Sequence, residues 1–193
     1  MDRAVVVLGG SQGGATAIAA LLTRLPRDFP APLVVTLHRG KQSDDTLIDF
    51  LRKASPLPVR EAEDKVKPLP GCVYLAPADY HLLVEKDGLA LSTEAPVNWA
   101  RPSINVLFES AAETWRERAV AILLTGANSD GAEGLARIKQ CGGLTVVQEP
   151  GEAECRVMPD AAIRAAAVDR ILPLAEIASF LMETFQPRVR VNS

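Results

Sequence analysis

Three apolar stretches of the sequence lead to side chains that can take part in nucleophilic or acid–base chemistry. The stretch AVVVLGG leads to Ser11, LVVTLH ends on His38, and AVAILLTG is followed after a few residues by Asp130. A serine hydroxyl is a weak nucleophile near neutral pH and needs a base, which a carboxylate commonly orients. Ser11 is therefore the candidate nucleophile, His38 the candidate base and Asp130 the candidate orienting acid.

The glycines around Ser11 match the pattern Gly-x-Ser-x-Gly, with Gly9 and Gly13 at its ends. In that pattern a sharp turn between a strand and a helix exposes the serine hydroxyl. The helix that follows would present N–H groups and the positive end of its dipole to a developing oxyanion. If His38 is the base, we expect one of its ring nitrogens to lie within about hydrogen-bond reach of the Ser11 hydroxyl, with a looser geometry allowed before substrate binds.

The glycine cluster Gly9–Gly14 leaves two other interpretations open, a cradle for phosphate and a tight turn without chemistry. The dinucleotide-binding fingerprint needs glycine at positions one, three and six, and Ser11 occupies the third position of the window that starts at Gly9. The phosphate-loop ending Gly-Lys-Ser/Thr is also absent from the sequence. A non-catalytic nucleotide- or phosphate-binding module is the alternative of a different class, and it gives no role to His38 or Asp130.

The elements that must position these residues follow from the alternation of short apolar runs with amphipathic stretches. The predicted strands cover 4–10, 33–38, 73–77, 119–126, 144–148 and 170–174, with a hairpin over 81–92. The predicted helices cover 15–25, 44–54 (capped by Ser43 or Asp44), 103–118, 129–143, 159–168 and 174–185. Apolar strands separated by helices are typical of a parallel sheet that is covered on both faces.

We therefore predict an α/β fold: a doubly wound, mostly parallel sheet with helices on both faces and a β-hairpin insertion near 72–92. We expect one domain over residues 1–193, with 186–193 as a frayed tail. In such sheets ligands bind beyond the carboxyl ends of the strands, which is where Ser11, His38 and Asp130 fall. Because no histidine follows His81, the α/β-hydrolase order of serine, acid, histidine cannot be met with Asp130.

The composition limits the class of protein. The net charge of −3 gives no broad basic footprint, so nucleic acid is not an expected partner. No apolar run is long enough for a membrane span, and the N-terminus lacks the pattern of a signal peptide. Three widely spaced cysteines fit a reduced, cytoplasmic protein better than a disulfide framework.

The order of the candidate residues and the segments around them resemble the catalytic domain of the chemotaxis protein-glutamate methylesterases, the CheB family. LGGSQGGATAI resembles the family's nucleophile segment Ile-Gly-x-Ser-Thr-Gly-Gly, and VVTLHRG resembles the segment that carries its base. ILLTGANSDGAEGL resembles its acid segment, Leu-Thr-Gly-Met-Gly-x-Asp-Gly-Ala. With GCVYLAPADYHLLV, ARPSINVLFESAA and VMPDAAI, the resemblance spans residues 4–163.

The resemblance implies that Ser11 is the nucleophile, His38 the general base and Asp130 the orienting acid. The implied reaction is hydrolysis of glutamate γ-methyl esters on the cytoplasmic helices of chemoreceptors, through an acyl-enzyme on Ser11, with release of methanol. Some family members also deamidate receptor glutamines. No metal and no organic cofactor is implied.

Gln12, Gly13 and Ala127 are candidate oxyanion or pocket residues by this resemblance. Gln12 stands where the family usually has threonine, and Ala127 stands where it usually has methionine. The run 98–100 replaces a segment that is usually more basic in the family. These differences bear on which ester is the substrate. A serine esterase or amidase of the same family that acts on a non-receptor substrate is therefore an open alternative.

Two arginines and a second histidine lie near the candidate site in the sequence. Arg39 and Arg101 are weak candidates for binding an acidic receptor surface, and solvated surface arginines fit the sequence equally well. His81 is expected to be structural or to line the rim of the site. Family members usually carry an N-terminal receiver domain, so either an excised catalytic domain or a stand-alone member fits this sequence.

Overall fold

A computed structural model of the chain describes residues 5–41, 45–165 and 168–185. The strands are β1 (Val5–Gly10), β2 (Leu33–Leu37), β3 (Val59–Glu61), β4 (Val73–Leu75), β5 (His81–Val84), β6 (Leu89–Ser92), β7 (Ala119–Leu123), β8 (Leu144–Gln148) and β9 (Arg170–Leu172). The helices are α1 (Gly14–Leu22), α2 (Thr46–Ala54), α3 (Ile104–Trp115), α4 (Ala132–Gln140), α5 (Val157–Ala165) and α6 (Leu174–Phe185).

Seven of the strands form one sheet in the order β3-β4-β2-β1-β7-β8-β9. Every neighbouring pair in it is parallel. β5 and β6 pair antiparallel as a separate hairpin. The predicted doubly wound, mostly parallel sheet is thereby confirmed, and β1 lies at its centre.

Both faces of the sheet are covered, which explains why its central strands are apolar except for the buried Thr36 of β2. Val6 and Leu8 of β1 face the core formed with α1, α2 and α6. Val5 and Val7 face the core formed with α3, α4 and α5. Alternate residues of a strand point to opposite faces, so a strand buried on both sides loses the usual apolar–polar alternation.

The structure corrects the predicted elements at several ends. The hairpin predicted over 81–92 is confirmed as β5 and β6, but the insertion near 72–92 begins later than predicted, because 73–75 belongs to the main sheet as β4. The short edge strand β3 was not predicted, since three residues between proline-containing segments give no periodicity to read. The predicted helix over 129–143 begins only at Ala132, and the residues before it form the loop that carries Asp130. The proposed caps Ser43 and Asp44 and the predicted tail 186–193 lie outside the described residues.

Candidate active site

The three candidate catalytic residues follow three adjacent strands. β1 pairs with β2 on one side and with β7 on the other. Gly10 is in register with Leu37, so the residues that follow them, Ser11 and His38, emerge side by side at the carboxyl edge of the sheet. Asp130 lies in the loop between β7 and α4. The fold therefore brings the three residues to one edge of the sheet.

His38 and Asp130 form a direct ion pair or hydrogen bond. Nε2 of His38 lies 2.7 Å from Oδ2 of Asp130. The carboxylate side chain is fully buried, whereas 16% of the histidine side chain is exposed. This is the arrangement in which a carboxylate fixes the tautomer and the orientation of an imidazole that works at the surface of a site.

The N-terminus of α3 holds the Asp130 carboxylate. Oδ2 accepts a hydrogen bond from the backbone N–H of Ile104 at 2.7 Å. Oδ1 accepts from the Ser103 hydroxyl at 2.8 Å, and from the N–H groups of Asn105 and Gly131 at 3.1 Å. A negative charge is favoured there, because unpaired N–H groups and the helix dipole both point at it.

These hydrogen bonds decide the ionisation state of Asp130. Burial raises the pKa of the carboxyl group, but the hydrogen bonds from His38, Ile104, Asn105 and Ser103 together outweigh it and hold the pKa below its ordinary value. Asp130 is therefore a carboxylate at neutral pH, as an orienting acid must be.

Gly9 makes the approach of α3 to this edge of the sheet sterically feasible. A Cβ atom on Gly9 would lie only 2.2 Å from Cγ2 of Ile104, the residue whose N–H binds Asp130. The glycine thus clears space for α3, whereas the Gly-x-Ser-x-Gly pattern predicted only a role in the sharp turn at Ser11. Gly13 is the residue that turns, with a left-handed φ of 74° at the start of α1.

Ser11 sits at the tip of β1 and is anchored to the neighbouring loop through its backbone. Its N–H donates to the Thr125 carbonyl at 2.9 Å, and its carbonyl accepts from the N–H of Gly14 at 2.8 Å. The expected hydrogen bond between its hydroxyl and His38 is not formed among the residues that the structure describes. The remaining ring nitrogen of His38, Nδ1, instead lies 3.5 Å from Nδ2 of Asn128.

The three candidate oxyanion or pocket residues lie around Ser11. Gln12 and Ala127 are exposed and Gly13 is half-buried. Within the described part of the chain, their backbone N–H groups donate to no other protein group. The Gln12 carbonyl accepts a hydrogen bond from the Thr125 hydroxyl at 2.9 Å, which ties the turn after Ser11 to the end of β7. Free N–H groups beside a serine are what an oxyanion needs.

Neither candidate arginine is a solvated surface residue. Nη1 of Arg39 donates to Oε1 of Glu61 at 3.0 Å, and only 4% of the Arg39 side chain is exposed. Arg101 donates from Nε and Nη2 to Oδ1 of Asp79, at 3.0 and 2.7 Å. Its Nη1 donates to the carbonyls of Thr93 and Glu94 at 2.7 and 2.9 Å. Their role in substrate binding stays a prediction, and both arginines have structural partners.

His81 is buried and both of its ring nitrogens meet backbone groups. Nδ1 accepts from the N–H of Ser103 at 3.2 Å, and Nε2 lies 3.1 Å from the carbonyl of Ala95. Because the donor N–H fixes Nδ1 as the acceptor, Nε2 carries the proton. This arrangement agrees with the structural role expected for His81, and it steadies the start of α3.

Sequence reasoning missed Ser103, Asn128 and Thr125 as parts of this site. Ser103 precedes α3 and resembles a helix cap, but its hydroxyl binds Asp130, which is 27 residues away. Asn128 accepts from the N–H of Asp130 at 3.1 Å through its side-chain oxygen, and it stands at the second glycine of the acid segment quoted above. That departure from glycine was the only sequence signal for Asn128. Ser103 and Thr125 gave no such signal, because their contacts join segments far apart in the chain.

A groove of about 460 Å³ opens beside His38. It is lined by the segments 38–41, 96 and 98–102, and by Asn128. Among the described residues, no group of three or more histidine, cysteine, aspartate or glutamate side chains could hold a metal ion. Nor is any described helix long and apolar enough to cross a membrane.

Comparison with known proteins identifies the family of this chain. The sequence profile described as CheB methylesterase matches residues 6–181. A Leptospira interrogans protein named protein-glutamate methylesterase/protein-glutamine glutaminase is 44% identical over 96% of this chain and 97% of its own length. A Pseudomonas savastanoi protein with that name is 42% identical over 95% of this chain, which spans only 55% of that relative.

A solved structure leads to the same family. The CheB methylesterase catalytic domain of Thermotoga maritima superposes with a TM-score of 0.90 at 32% identity, over 95% of this chain and 99% of that one. Fold, sequence profile and relatives agree along almost the whole chain. The chain therefore belongs to the CheB methylesterase family and is an enzyme of the methylesterase type.

Proposed function

We propose that this protein hydrolyses γ-methyl esters of glutamate side chains on the cytoplasmic helices of chemoreceptors, and that it deamidates selected glutamines at the same site. The observation that carries the proposal is the 2.7 Å contact between His38 and the buried Asp130, beside Ser11 at the central strands of the sheet. The names of the relatives support the reaction class. A nucleotide- or phosphate-binding module would give this pair no task.

The first half of the reaction forms an acyl-enzyme. Nδ1 of His38 takes the proton of the Ser11 hydroxyl as Oγ attacks the γ-carbonyl carbon of the ester. The carbonyl oxygen becomes an oxyanion, which the free N–H groups of Gln12 and Gly13 stabilise. The intermediate then collapses, the C–O bond to the methoxy group breaks, and His38 returns the proton so that methanol leaves.

The second half regenerates the enzyme. A water molecule gives a proton to Nδ1 of His38 and attacks the acyl carbon, and the glutamate carboxyl leaves as Ser11 recovers its proton. Asp130 stays ionised throughout and holds the proton on Nε2. With a glutamine substrate the same steps release ammonia in place of methanol.

The structure differs from the reacting geometry at one contact. Nδ1 of His38 faces the side-chain amide of Asn128, whereas the proposed mechanism needs it to face the Ser11 hydroxyl. Catalytic hydrogen bonds often tighten only when substrate is bound. In this proposal, binding of the ester turns Nδ1 of His38 from the Asn128 amide to the Ser11 hydroxyl.

Receptor membranes that carry radiolabelled methyl esters test this function. We expect the wild-type protein to release labelled methanol, Ser11→Ala to release none above background, and Ser129→Ala to match the wild type. Ser129 is the matched control because it is an exposed serine at the same edge of the sheet. Methanol release by Ser11→Ala at the wild-type rate would refute the nucleophile, and hydrolysis of small glutamyl esters without any on receptors would refute the substrate.

A further inference from the structure

We propose that Trp99 is the docking residue of this enzyme for its polypeptide substrate. In this inference, the indole packs against an apolar side chain close to the modified glutamate, in an acidic segment of the substrate protein. The inference rests on the proposed function, whose substrate is a glutamate side chain within a protein. It adds where that protein is held and what chemistry its sequence must offer.

Trp99 occupies a strained position in a tight turn. Val97 and Ala100 exchange backbone hydrogen bonds at 3.1 and 2.9 Å, which closes a two-residue hairpin over Asn98 and Trp99. Both central residues have positive φ, 49° for Asn98 and 63° for Trp99. Turns of this kind strongly favour Asn-Gly, so tryptophan stands where glycine is preferred. A bulky residue at positive φ is an outlier, and such strain is typical of functional sites.

Packing of the Trp99 side chain against the described residues does not offset this strain. Its relative exposure is 101%, so it packs against none of the protein around it. The other tryptophan of the chain, Trp115, is half-buried, and the Arg118 guanidinium lies over its ring, 5.2 Å from the ring centroid. Tryptophan is among the residues that contribute most to binding energy at protein interfaces. A fully exposed tryptophan in a strained turn is therefore better explained by a partner than by folding.

The segment that carries Trp99 is rigidly supported from both sides. Arg101 donates hydrogen bonds to the carbonyls of Thr93 and Glu94 and to the carboxylate of Asp79. Buried His81 contacts the carbonyl of Ala95 at 3.1 Å. These contacts fix the segment on which the turn stands. A docking residue held in place before binding loses less conformational entropy when its partner arrives.

The groove between Trp99 and the catalytic histidine indicates the chemistry of the partner. It has a volume of about 460 Å³, far more than one methyl ester fills, and both Trp99 and His38 line it. Three cationic residues, Arg39, Lys41 and Arg101, also line it, and no carboxylate is among its described lining residues. Two carboxylates pair with these cations: Glu61 binds Arg39, and Asp79 binds Arg101. Asp79 also lies 3.5 Å from Nζ of Lys41, whose side chain is 69% exposed. The three cations therefore exceed the two carboxylates by one positive charge. An acidic polypeptide segment complements this excess positive charge, and an apolar side chain on it would cover the indole.

Two matched peptide esters test the inference. Both are acidic helical peptides of about 20 residues with one glutamate γ-methyl ester. In the first peptide, leucines lie three and four residues before and after the ester. These positions share one face of the helix with the ester. The second has glutamines in place of the leucines. We expect Trp99→Ala to lower kcat/KM for the leucine peptide by at least about tenfold. Its kcat/KM for the glutamine peptide and for N-acetyl-glutamate γ-methyl ester should stay within about twofold of wild type.

Ile171→Ala is the control for loss of an exposed apolar side chain. Ile171 is 45% exposed on the edge strand β9, at the opposite side of β1 from the strand that precedes His38. We expect this variant to hydrolyse both peptides as the wild type does. An equal kcat/KM of wild type and Trp99→Ala for the leucine peptide would overturn the inference. So would an equal fall on all three substrates, because that result would place Trp99 in the catalytic machinery.

Trp99→Gly separates docking from folding. Glycine accepts the positive φ of this turn without strain, so the thermal midpoint of the Trp99→Gly protein should be no lower than that of the wild type. The activity of this variant on the leucine peptide should fall as in Trp99→Ala. A lower midpoint together with wild-type activity would contradict the inference.

Binding without turnover gives a second readout that does not depend on catalysis. In the Ser11→Ala background, the leucine peptide should shift the tryptophan emission to shorter wavelength, and Trp99→Phe should remove the shift. No shift in the Ser11→Ala protein would overturn the docking inference. Failure of the proposed function looks different. If the reaction is wrong, the wild type hydrolyses none of the three esters, and if only the polypeptide substrate is wrong, it hydrolyses N-acetyl-glutamate γ-methyl ester and neither peptide.

Discussion

Asp130 is the residue through which the candidate active site is coupled to the fold. One carboxylate oxygen contacts both His38 and the N–H of Ile104, and the other accepts from Ser103, Asn105 and Gly131. The same group therefore orients the base and closes the N-terminus of α3. Changes at this residue are expected to affect stability and catalysis together.

The two histidines have different surroundings, which predicts different losses on substitution. His38→Ala removes the base and should lower kcat/KM for a glutamyl methyl ester peptide by roughly three or more orders of magnitude. His81→Ala leaves the Ser103 N–H and the Ala95 carbonyl without their buried partner, so it should chiefly lower the free energy of unfolding, by about 1–3 kcal/mol. Steady-state kinetics and urea unfolding of both variants check this. If His81→Ala lost activity as His38→Ala does while keeping wild-type stability, the assignment of the base would be wrong.

The lowered pKa of Asp130 predicts how stability depends on pH. Because the folded pKa lies below the unfolded one, the carboxylate stabilises the folded state above the ordinary aspartate value of about 4. As pH falls below that value, the unfolded state takes up the proton first and the contribution is lost. We expect Asp130→Asn to be less stable than wild type at pH 7, and the difference to shrink at acidic pH. Urea unfolding over this pH range measures it, and a difference that stayed constant would contradict the account.

At the scale of elements, the strand ends were predictable and the role of α3 was not. Apolar runs that stop at Ser11 and His38 reveal both the strands and the edge where they end. The contacts that make Asp130 useful come from residues 103–105, which are 25 to 27 positions away in the sequence. Local patterns carry no information on such distant contacts. Gly9 shows the same limit, because glycine is required at this position to leave room for the distant side chain of Ile104.

The packing of α3 against α4 gives a test at this scale. A Cβ atom on Gly134 of α4 would lie 2.7 Å from Cβ of Phe108 and 3.0 Å from the backbone carbonyl oxygen of Asn105. Gly134→Ala must therefore push the two helices apart, and we expect a loss of about 1–3 kcal/mol in the free energy of unfolding. Gly151→Ala is the matched control, since nothing lies within 4 Å of its added atom. Equal stability of the two variants in urea would show that this helix contact does not hold α3 in place.

At the scale of the whole molecule, the parallel sheet determines which residues can meet. β1 is flanked by β2 and β7, although 81 residues separate the end of β2 from the start of β7 in the chain numbering. The sequence motifs predicted the family, the sheet and the edge that carries the site. They did not predict β3, whose pairing depends on β4, or that Nδ1 of His38 faces Asn128 rather than Ser11. Those features depend on tertiary contacts, which local sequence patterns do not record.

The most direct test of the central claim is to trap the acyl-enzyme on Ser11. Mass spectrometry of the protein, quenched with acid during turnover of a glutamate γ-methyl ester peptide, locates any adduct. We predict that the fragment containing Ser11 gains the mass of the peptide ester less methanol, and that Ser11→Ala shows neither the adduct nor methanol release. An adduct on a different residue, or undiminished methanol release by Ser11→Ala, would contradict the account.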